Sequence, residues 1–150
     1  MRLALYQPDI PQNTGTLMRL SACMNAPIDI IEPCGFLWND AKLKRAGMDY
    51  LDKVDYTRHT SWKVFLEWAT QNNHRIILLS TKASENYTKF EFQTNDILLL
   101  GRESSGVQEN VHESVDGRVI IPMFGNYRSI NIATAGAMVL GEALRQTGEI

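Results

Sequence analysis

Residues 96–106 read Asp96-Ile97-Leu98-Leu99-Leu100-Gly101-Arg102-Glu103-Ser104-Ser105-Gly106. The unbroken apolar run 97–100 is the pattern of a parallel strand covered on both faces, and it stops at a glycine. A similar run, Arg75-Ile76-Ile77-Leu78-Leu79-Ser80, comes before it, and Val119-Ile120-Ile121, ended by Pro122, comes after. Between these runs the periodicity turns helical. Ser61 to Gln71, with Ser61 as N-cap, carries Trp62, Phe65, Leu66 and Ala69 along one face.

Toward the N-terminus, residues 2 to 6 and Ile28-Asp29-Ile30-Ile31 read as two further strands. Pro8 and Pro11 interrupt regular structure before Asn13-Thr14-Gly15. A helix is expected next, capped by Asn13 or Thr14, with Leu17, Leu20, Cys23 and Met24 at helical spacing and Pro27 as its stop. Asp40 to Ala46 reads as a short helix ending at Gly47. The alternation predicts an α/β fold, a mainly parallel sheet with helices on both faces, as one domain over residues 1–150. Ligands gather at the carboxyl ends of strands in such sheets, which directs attention to the loops after Leu79, Leu100 and Ile121.

The last helix, about Ser129 to Gln146, is apolar on nearly every side between Ile130 and Leu140. It is expected to be buried on more than one face. Gly136 and Gly141 inside it imply close backbone approach to a neighbour, since each disfavours a helix by about 1 kcal/mol relative to alanine. Both a homodimer interface and a central core helix account for this.

Composition narrows the function classes. With 44% hydrophobic and 21% charged residues, the chain has a globular profile rather than a disordered one. The start Met1-Arg2-Leu3-Ala4-Leu5-Tyr6 leads straight into a strand without the marks of a signal peptide, so the mature protein is expected to start here, in the cytoplasm. No apolar stretch approaches the roughly 20 residues of a membrane span. Cys23 and Cys34 lack metal or redox spacing and read as reduced thiols, and His59, His74 and His112 are scattered, so no metal site is expected and surface roles are assigned to the histidines. A net charge of −2 gives no global attraction for a polyanion. Between Asp40 and Lys63, however, Lys42, Lys44, Arg45, Lys53, Arg58 and Lys63 outnumber four acids, which suits either a phosphate-facing patch or a mixed solvated surface.

Three segments carry chemistry. Gly101 and Gly106 have the spacing of a phosphate loop, but Val107-Gln108 stands where lysine and a hydroxyl residue would hold phosphate and magnesium. That argues against a nucleotide hydrolase. Glu103 occupies the serine position of a hydrolase elbow, so that reading fails too. What remains is a glycine-bounded loop whose amides can approach a ligand, beside a carboxylate and two hydroxyls. The second segment is Ile121-Pro122-Met123 followed by Arg128-Ser129-Ile130-Asn131, where Ser129 suits a helix cap. Asn131, expected inside the helix, would need a buried partner or ligand because an unpaired amide costs a few kcal/mol there. The third is Asn13-Thr14-Gly15-Thr16-Leu17-Met18-Arg19, with Arg19 expected near the face of Asn13 and Thr16.

Together, in order and spacing, these segments resemble the three motifs of the SPOUT superfamily, specifically its SpoU/TrmH-like ribose methyltransferases. Ile31-Glu32-Pro33-Cys34-Gly35-Phe36 and Arg45-Ala46-Gly47-Met48-Asp49-Tyr50 narrow the likeness to the small TrmL (YibK) type, which is similar to this chain from end to end. The resemblance implies a deep C-terminal trefoil knot, a homodimer, and S-adenosylmethionine-dependent methylation of a ribose 2′-hydroxyl at the wobble nucleotide of leucine tRNAs, leaving S-adenosylhomocysteine. It implies a donor site on Leu79, Thr81, Gly101, Ile121, Met123 and Ser129, and a catalytic set of Arg19, Asn13, Glu103, Ser129 and Asn131. For tRNA docking, Arg19 joins Lys42, Lys44, Arg45 and Arg58. Gln108 departs from the usual proline of the second motif and is expected to loosen the donor loop. Thr134 departs from a frequent asparagine and is expected to alter packing under the site.

Arg19 is a proposed base in this superfamily. Neutralising an arginine at pH 7 costs about 9 kcal/mol at about 1.36 kcal/mol per pKa unit, so the cation is the cheaper state. Held as a cation it would bind the phosphate beside the target ribose and polarise the hydroxyl. Other readings are methylation at a different tRNA position or on ribosomal RNA, a knotted RNA-binding protein without catalysis, and a flavodoxin-like nucleotide-binding module.

Overall fold

A computed structural model of the chain describes residues 1–45 and 50–150, with the side chains of Lys42 and Arg45 outside the described set. Its centre is a six-stranded sheet in the order β3-β2-β1-β5-β4-β6, every pairing parallel. The strands are β1 (Arg2–Tyr6), β2 (Ile28–Ile31), β3 (Tyr56–His59), β4 (Arg75–Leu79), β5 (Asp96–Leu100) and β6 (Gly117–Val119). The helices are α1 (Pro11–Met24), α2 (Asp40–Arg45), α3 (Trp62–Gln71), α4 (Glu109–Ser114) and α5 (Ile132–Thr147).

The expected helices on both faces are present, and side-chain alternation explains why. Leu98 and Leu100 of β5 pack with Leu3, Leu5 and Ile77 against Leu17 and Met18 of α1 and Val139, Leu140 and Leu144 of α5. Ile97 and Leu99 turn the other way, with Ala4, Ile76 and Leu78, toward Phe65 and Ala69 of α3 and Val111 of α4. β5 lies between β1 and β4 and is buried along its whole length. That is why its sequence shows no polar alternation.

Several boundaries differ from the sequence expectation. α1 starts at Pro11, which occupies the first helical turn where its missing N–H loses nothing. Asn13 and Thr14 therefore lie within the helix rather than capping it. The chain leaves α1 through Asn25 in a left-handed conformation, ahead of Pro27. β3 and α4 have no counterpart in the sequence reading. β6 covers 117–119 rather than 119–121; Ile120 makes an isolated bridge to Asn86 beyond it. α2 ends its described part at Arg45, and the expected stop at Gly47 lies outside the described residues.

α5 starts three residues later than expected, and its cap is Asn131, not Ser129. The Asn131 side-chain oxygen accepts from the backbone N–H of Ala133 at 2.8 Å and of Thr134 at 3.3 Å. Asn131 is exposed, so the requirement for a buried partner falls away. Gly136 does meet a close neighbour: a Cβ there would stand 2.8 Å from Leu17 Cδ2. Gly141 does not, since a Cβ there would have nothing within 4 Å, and with exposed Thr134, Ala137 and Met138 it forms an outward small and apolar stripe.

His59 is a further correction. It is 4% exposed, with Nε2 at 2.8 Å from Oδ1 of the fully buried Asp29, which also accepts from Arg2 Nε at 2.9 Å. The ring is held in the interior rather than on the surface. Cys23 and Cys34 are unpaired thiols, and burial, with Glu32 adding, pushes the Cys34 thiol up to about 11.

Candidate active site

The loops after β4, β5 and β6 converge at the carboxyl edge of the sheet around a cavity of about 470 Å³. Leu79, Ser80 and Thr81 line it from the first loop, Gly101, Arg102 and Glu103 from the second, and Ile121, Met123, Ser129 and Asn131 from the third. Ile10 and Asn13 close it from the start of α1, and His112 from α4. The volume falls within the range of small-molecule sites, and apolar walls with a few convergent polar groups are their usual chemistry.

The Gly101–Gly106 loop is closed on itself. Arg102 N–H donates to the Gly106 carbonyl at 2.9 Å and Gly106 N–H to the Arg102 carbonyl at 2.7 Å. Those two amides are consumed, so they offer no cradle to a phosphate. The closure depends on both glycines: a Cβ on Gly101 would stand 3.0 Å from the Gly106 backbone, and Gly106 has φ +68°.

A line of hydrogen bonds ties the three segments together. Asn131 donates its side-chain amide to Asn13 Oδ1 at 3.0 Å, and Asn13 Nδ2 points to Glu103 Oε1 at 3.4 Å. Glu103 Oε2 also accepts from the backbone N–H of Asp9 at 2.9 Å. Asp9, absent from the sequence reading, anchors the loop after β5 by accepting from Arg102 Nε at 3.1 Å and from the Ser104 hydroxyl. The Asp9 carboxyl is held down to about 2, with Glu103 the leading cause and Ser104 and Arg102 helping. Glu103 moves the other way, raised first by burial and then by Asp9. Asp9 Oδ1 is buried without a hydrogen-bond partner among the described residues. Nothing in the sequence flagged Asp9, a lone acid between two prolines whose partners lie more than 90 residues away.

The cavity brings together Asn13, Leu79, Thr81, Gly101, Glu103, Ile121, Met123, Ser129 and Asn131. It does not include Arg19. Asn13 and Arg19 are six residues apart, about 120° around a helix of 3.6 residues per turn, so they do not share a face. Arg19 is exposed with its guanidinium 4.4 Å from the centre of the Tyr50 ring. Arg58 pairs with Glu32 and lies 5.1 Å above Trp38, and Lys44 pairs with Asp52 at 2.7 Å. Lys42 and Arg45 belong to the sequence-expected docking set, but their side chains lie outside the described residues.

The two departures from the family motifs are accommodated differently from expectation. Gln108 sits at the N-cap position of α4 with φ −67°, an angle that a proline also adopts. Thr134 faces outward on α5 rather than packing beneath the site. His112 was assigned to the surface but lines the cavity, and its Nε2 is buried without a hydrogen-bond partner among the described residues.

No group of three or more His, Cys, Asp or Glu among the described residues is placed to hold a metal ion, and no described helix is long and apolar enough to cross a membrane.

Comparison with known proteins places this geometry. Residues 1–141 match the model of the SpoU rRNA methylase family. The tRNA (cytidine(34)-2′-O)-methyltransferase of Beijerinckia indica is 57% identical over 148 residues, covering 99% of this chain and 92% of that protein. The protein of the same name from Escherichia coli K12 is 37% identical, with 99% and 94% covered. A solved structure reported for the 2-OH methylation of C/U34 on tRNA superposes with a TM-score of 0.89 at 40% identity, covering 97% of this chain and 94% of the other. The SpoU methyltransferase AviRb of Streptomyces viridochromogenes, solved in complex with AdoMet, has the same fold at 20% identity and a TM-score of 0.85, with 97% and 60% covered.

Proposed function

The chain belongs to the SpoU rRNA methylase family, and from that premise we propose that it transfers a methyl group from S-adenosylmethionine to the ribose 2′-hydroxyl of the wobble nucleotide, position 34, of leucine tRNAs. The observation that carries this reading is the Asn131–Asn13–Glu103 line, which joins three distant segments on the wall of one cavity. The names of the relatives, which specify cytidine 34 of tRNA, support tRNA as the substrate and position 34 as the target.

The residues present fit the donor. Leu79, Leu100, Ile121 and Met123 offer apolar walls to an adenosyl group, while Thr81, Ser129 and Asn131 offer polar contacts. Bound there, S-adenosylmethionine supplies a methyl already activated on a sulfonium, so the protein's work is alignment and removal of the hydroxyl proton. Asn13 is fixed from both sides, by Asn131 and by Glu103, and positions the ribose. Glu103 and Ser129 order the loops that bear the donor. Arg19 acts as a cation on the phosphate beside the target ribose, approaching from outside the wall of its own chain's cavity.

The same reading takes the protein as one domain, a cytoplasmic homodimer, with a knotted C-terminal segment. The outward stripe Thr134, Ala137, Met138 and Gly141 on α5 supports the dimer. The return of the chain from edge strand β6 to pack α5 on β5 and α1 supports the knot.

Incubation with methyl-labelled S-adenosylmethionine and unmodified tRNA, followed by mapping of ribose methylation, tests the proposal. Label on the position-34 ribose of leucine tRNAs is the expected result. Label elsewhere in tRNA or on ribosomal RNA moves the substrate, and RNA binding without transfer makes the protein a non-catalytic binder.

A further inference from the structure

Of the thirteen aromatic side chains, two stand fully in water: Phe124 is 90% exposed and Tyr127 80%, while every other one is buried or half-buried. Both lie on the short segment between Met123 and Ser129, and those two flanking residues line the cavity. Gly125, with φ +79°, turns the chain between the rings, and the Tyr127 ring lies over it. Arg128 is exposed beside them. The segment has no aliphatic side chain, whereas the outward apolar stripe of α5 lies on a different element.

A nucleotide whose ribose enters the cavity must carry its base, and those of its neighbours, past this rim. Aromatic faces stack on any unpaired base, and a neighbouring arginine favours the phosphates between bases. Exposed Phe, Tyr and Arg are also enriched where two chains join, so self-association is the competing outcome that the test scores. We infer that Phe124 and Tyr127 form a stacking platform for unpaired nucleobases of the RNA substrate, next to the nucleotide that is methylated. The inference rests on the reading of the cavity as a ribose methylation site.

The test uses anticodon stem-loop RNAs carrying 2-aminopurine at the target position or at either neighbour. Wild-type protein should quench the emission of at least one probe. Phe124→Ala and Tyr127→Ala should lose that quench and weaken RNA binding by about 5- to 150-fold, the equivalent of about 1–3 kcal/mol per stacked base. Phe124→Tyr and Tyr127→Phe should keep both. The salt dependence of binding should be unchanged, because no phosphate contact is removed. Unchanged quench and affinity in both alanine variants overturn the platform, as does loss of self-association in those variants with RNA affinity per dimer intact. Methyl transfer by the wild type to the same RNAs is scored separately. Quench without transfer sinks the methylation reading and leaves the platform, and transfer without quench sinks the platform alone.

Discussion

The Asn131 side-chain amide donates to Asn13 Oδ1 at 3.0 Å across 118 residues of sequence, while the oxygen of the same side chain caps α5. One residue therefore starts the last helix and fixes a polar group at the cavity wall. Coupling the two tasks makes the position of Asn13 depend on the formation of α5.

The two tasks separate by substitution. Asn131→Asp keeps a capping oxygen at the helix N-terminus but removes the donor to Asn13, so thermal stability should stay near wild type while kcat/KM falls by about tenfold, equivalent to about 1.36 kcal/mol. Asn131→Ala should lose both, at about 1 kcal/mol of stability for the cap. Melting curves and steady-state kinetics check this, and a fully active Asn131→Asp protein would sink the positioning role.

Some of this architecture was legible in the sequence and some was not, for physical reasons. β4 and β5 announce themselves because burial on both faces leaves an unbroken apolar run. β3 does not, because Tyr56-Thr57-Arg58-His59 lies at the sheet edge with Thr57 and Arg58 in water. Ile120 and Ile121 look like strand, yet both line the cavity, so the apolar signal came from the cavity wall instead of the sheet. The cavity loops after Leu100 and Ile121 were recognisable from motif spacing, and that after Leu79 from the end of its apolar run. Asp9 was not, because its partners lie more than 90 residues away, whereas the offset of Arg19 from Asn13 follows from their spacing on a helix of 3.6 residues per turn.

Glu103 and Asp9 should leave opposite marks on stability. Glu103 is raised above its ordinary value of 4.5 in the folded protein, so its contribution is fully present below that value and is lost as pH rises through the folded pKa. Glu103→Gln cannot ionise, and its melting temperature should gain on wild type between pH 4.5 and neutrality. Asp9 is depressed from 3.8 to about 2, so its contribution is present above pH 3.8 and is lost as pH falls toward 2. Asp9→Asn should therefore lose stability by a nearly constant amount above pH 4, with the deficit shrinking in acid. A Glu103→Gln difference that is flat with pH would count against a raised Glu103 carboxyl.

The two glycines of α5 should respond differently. Gly136→Ala pushes a methyl to 2.8 Å from Leu17 Cδ2 and 3.2 Å from Leu100 Cδ1, both on buried side chains, and should destabilise by about 1–3 kcal/mol. Gly141 meets nothing within its own chain. Gly141→Arg should leave circular dichroism unchanged and convert a dimer to a monomer in sedimentation equilibrium. A Gly141→Arg protein that sediments as wild type would place any dimer interface elsewhere.

Arg19 offers the sharpest mechanistic division, because its guanidinium is stacked 4.4 Å from the Tyr50 ring centre and lies off the cavity wall. A cation bound to phosphate predicts that Arg19→Lys retains most of kcat while KM for RNA rises, since lysine keeps the charge but loses the planar fork and its stacking. The salt slope of RNA binding should shrink by about 1 in Arg19→Ala, which removes one phosphate contact, and should stay near wild type in Arg19→Lys. Tyr50→Ala should raise KM in the same sense by removing the ring on which the guanidinium stacks, whereas Tyr50→Phe should keep that stacking. If Arg19→Lys binds RNA as wild type but transfers no methyl, charge alone is insufficient. A wild-type log rate that climbs with pH while RNA affinity stays constant would then count against a purely cationic role.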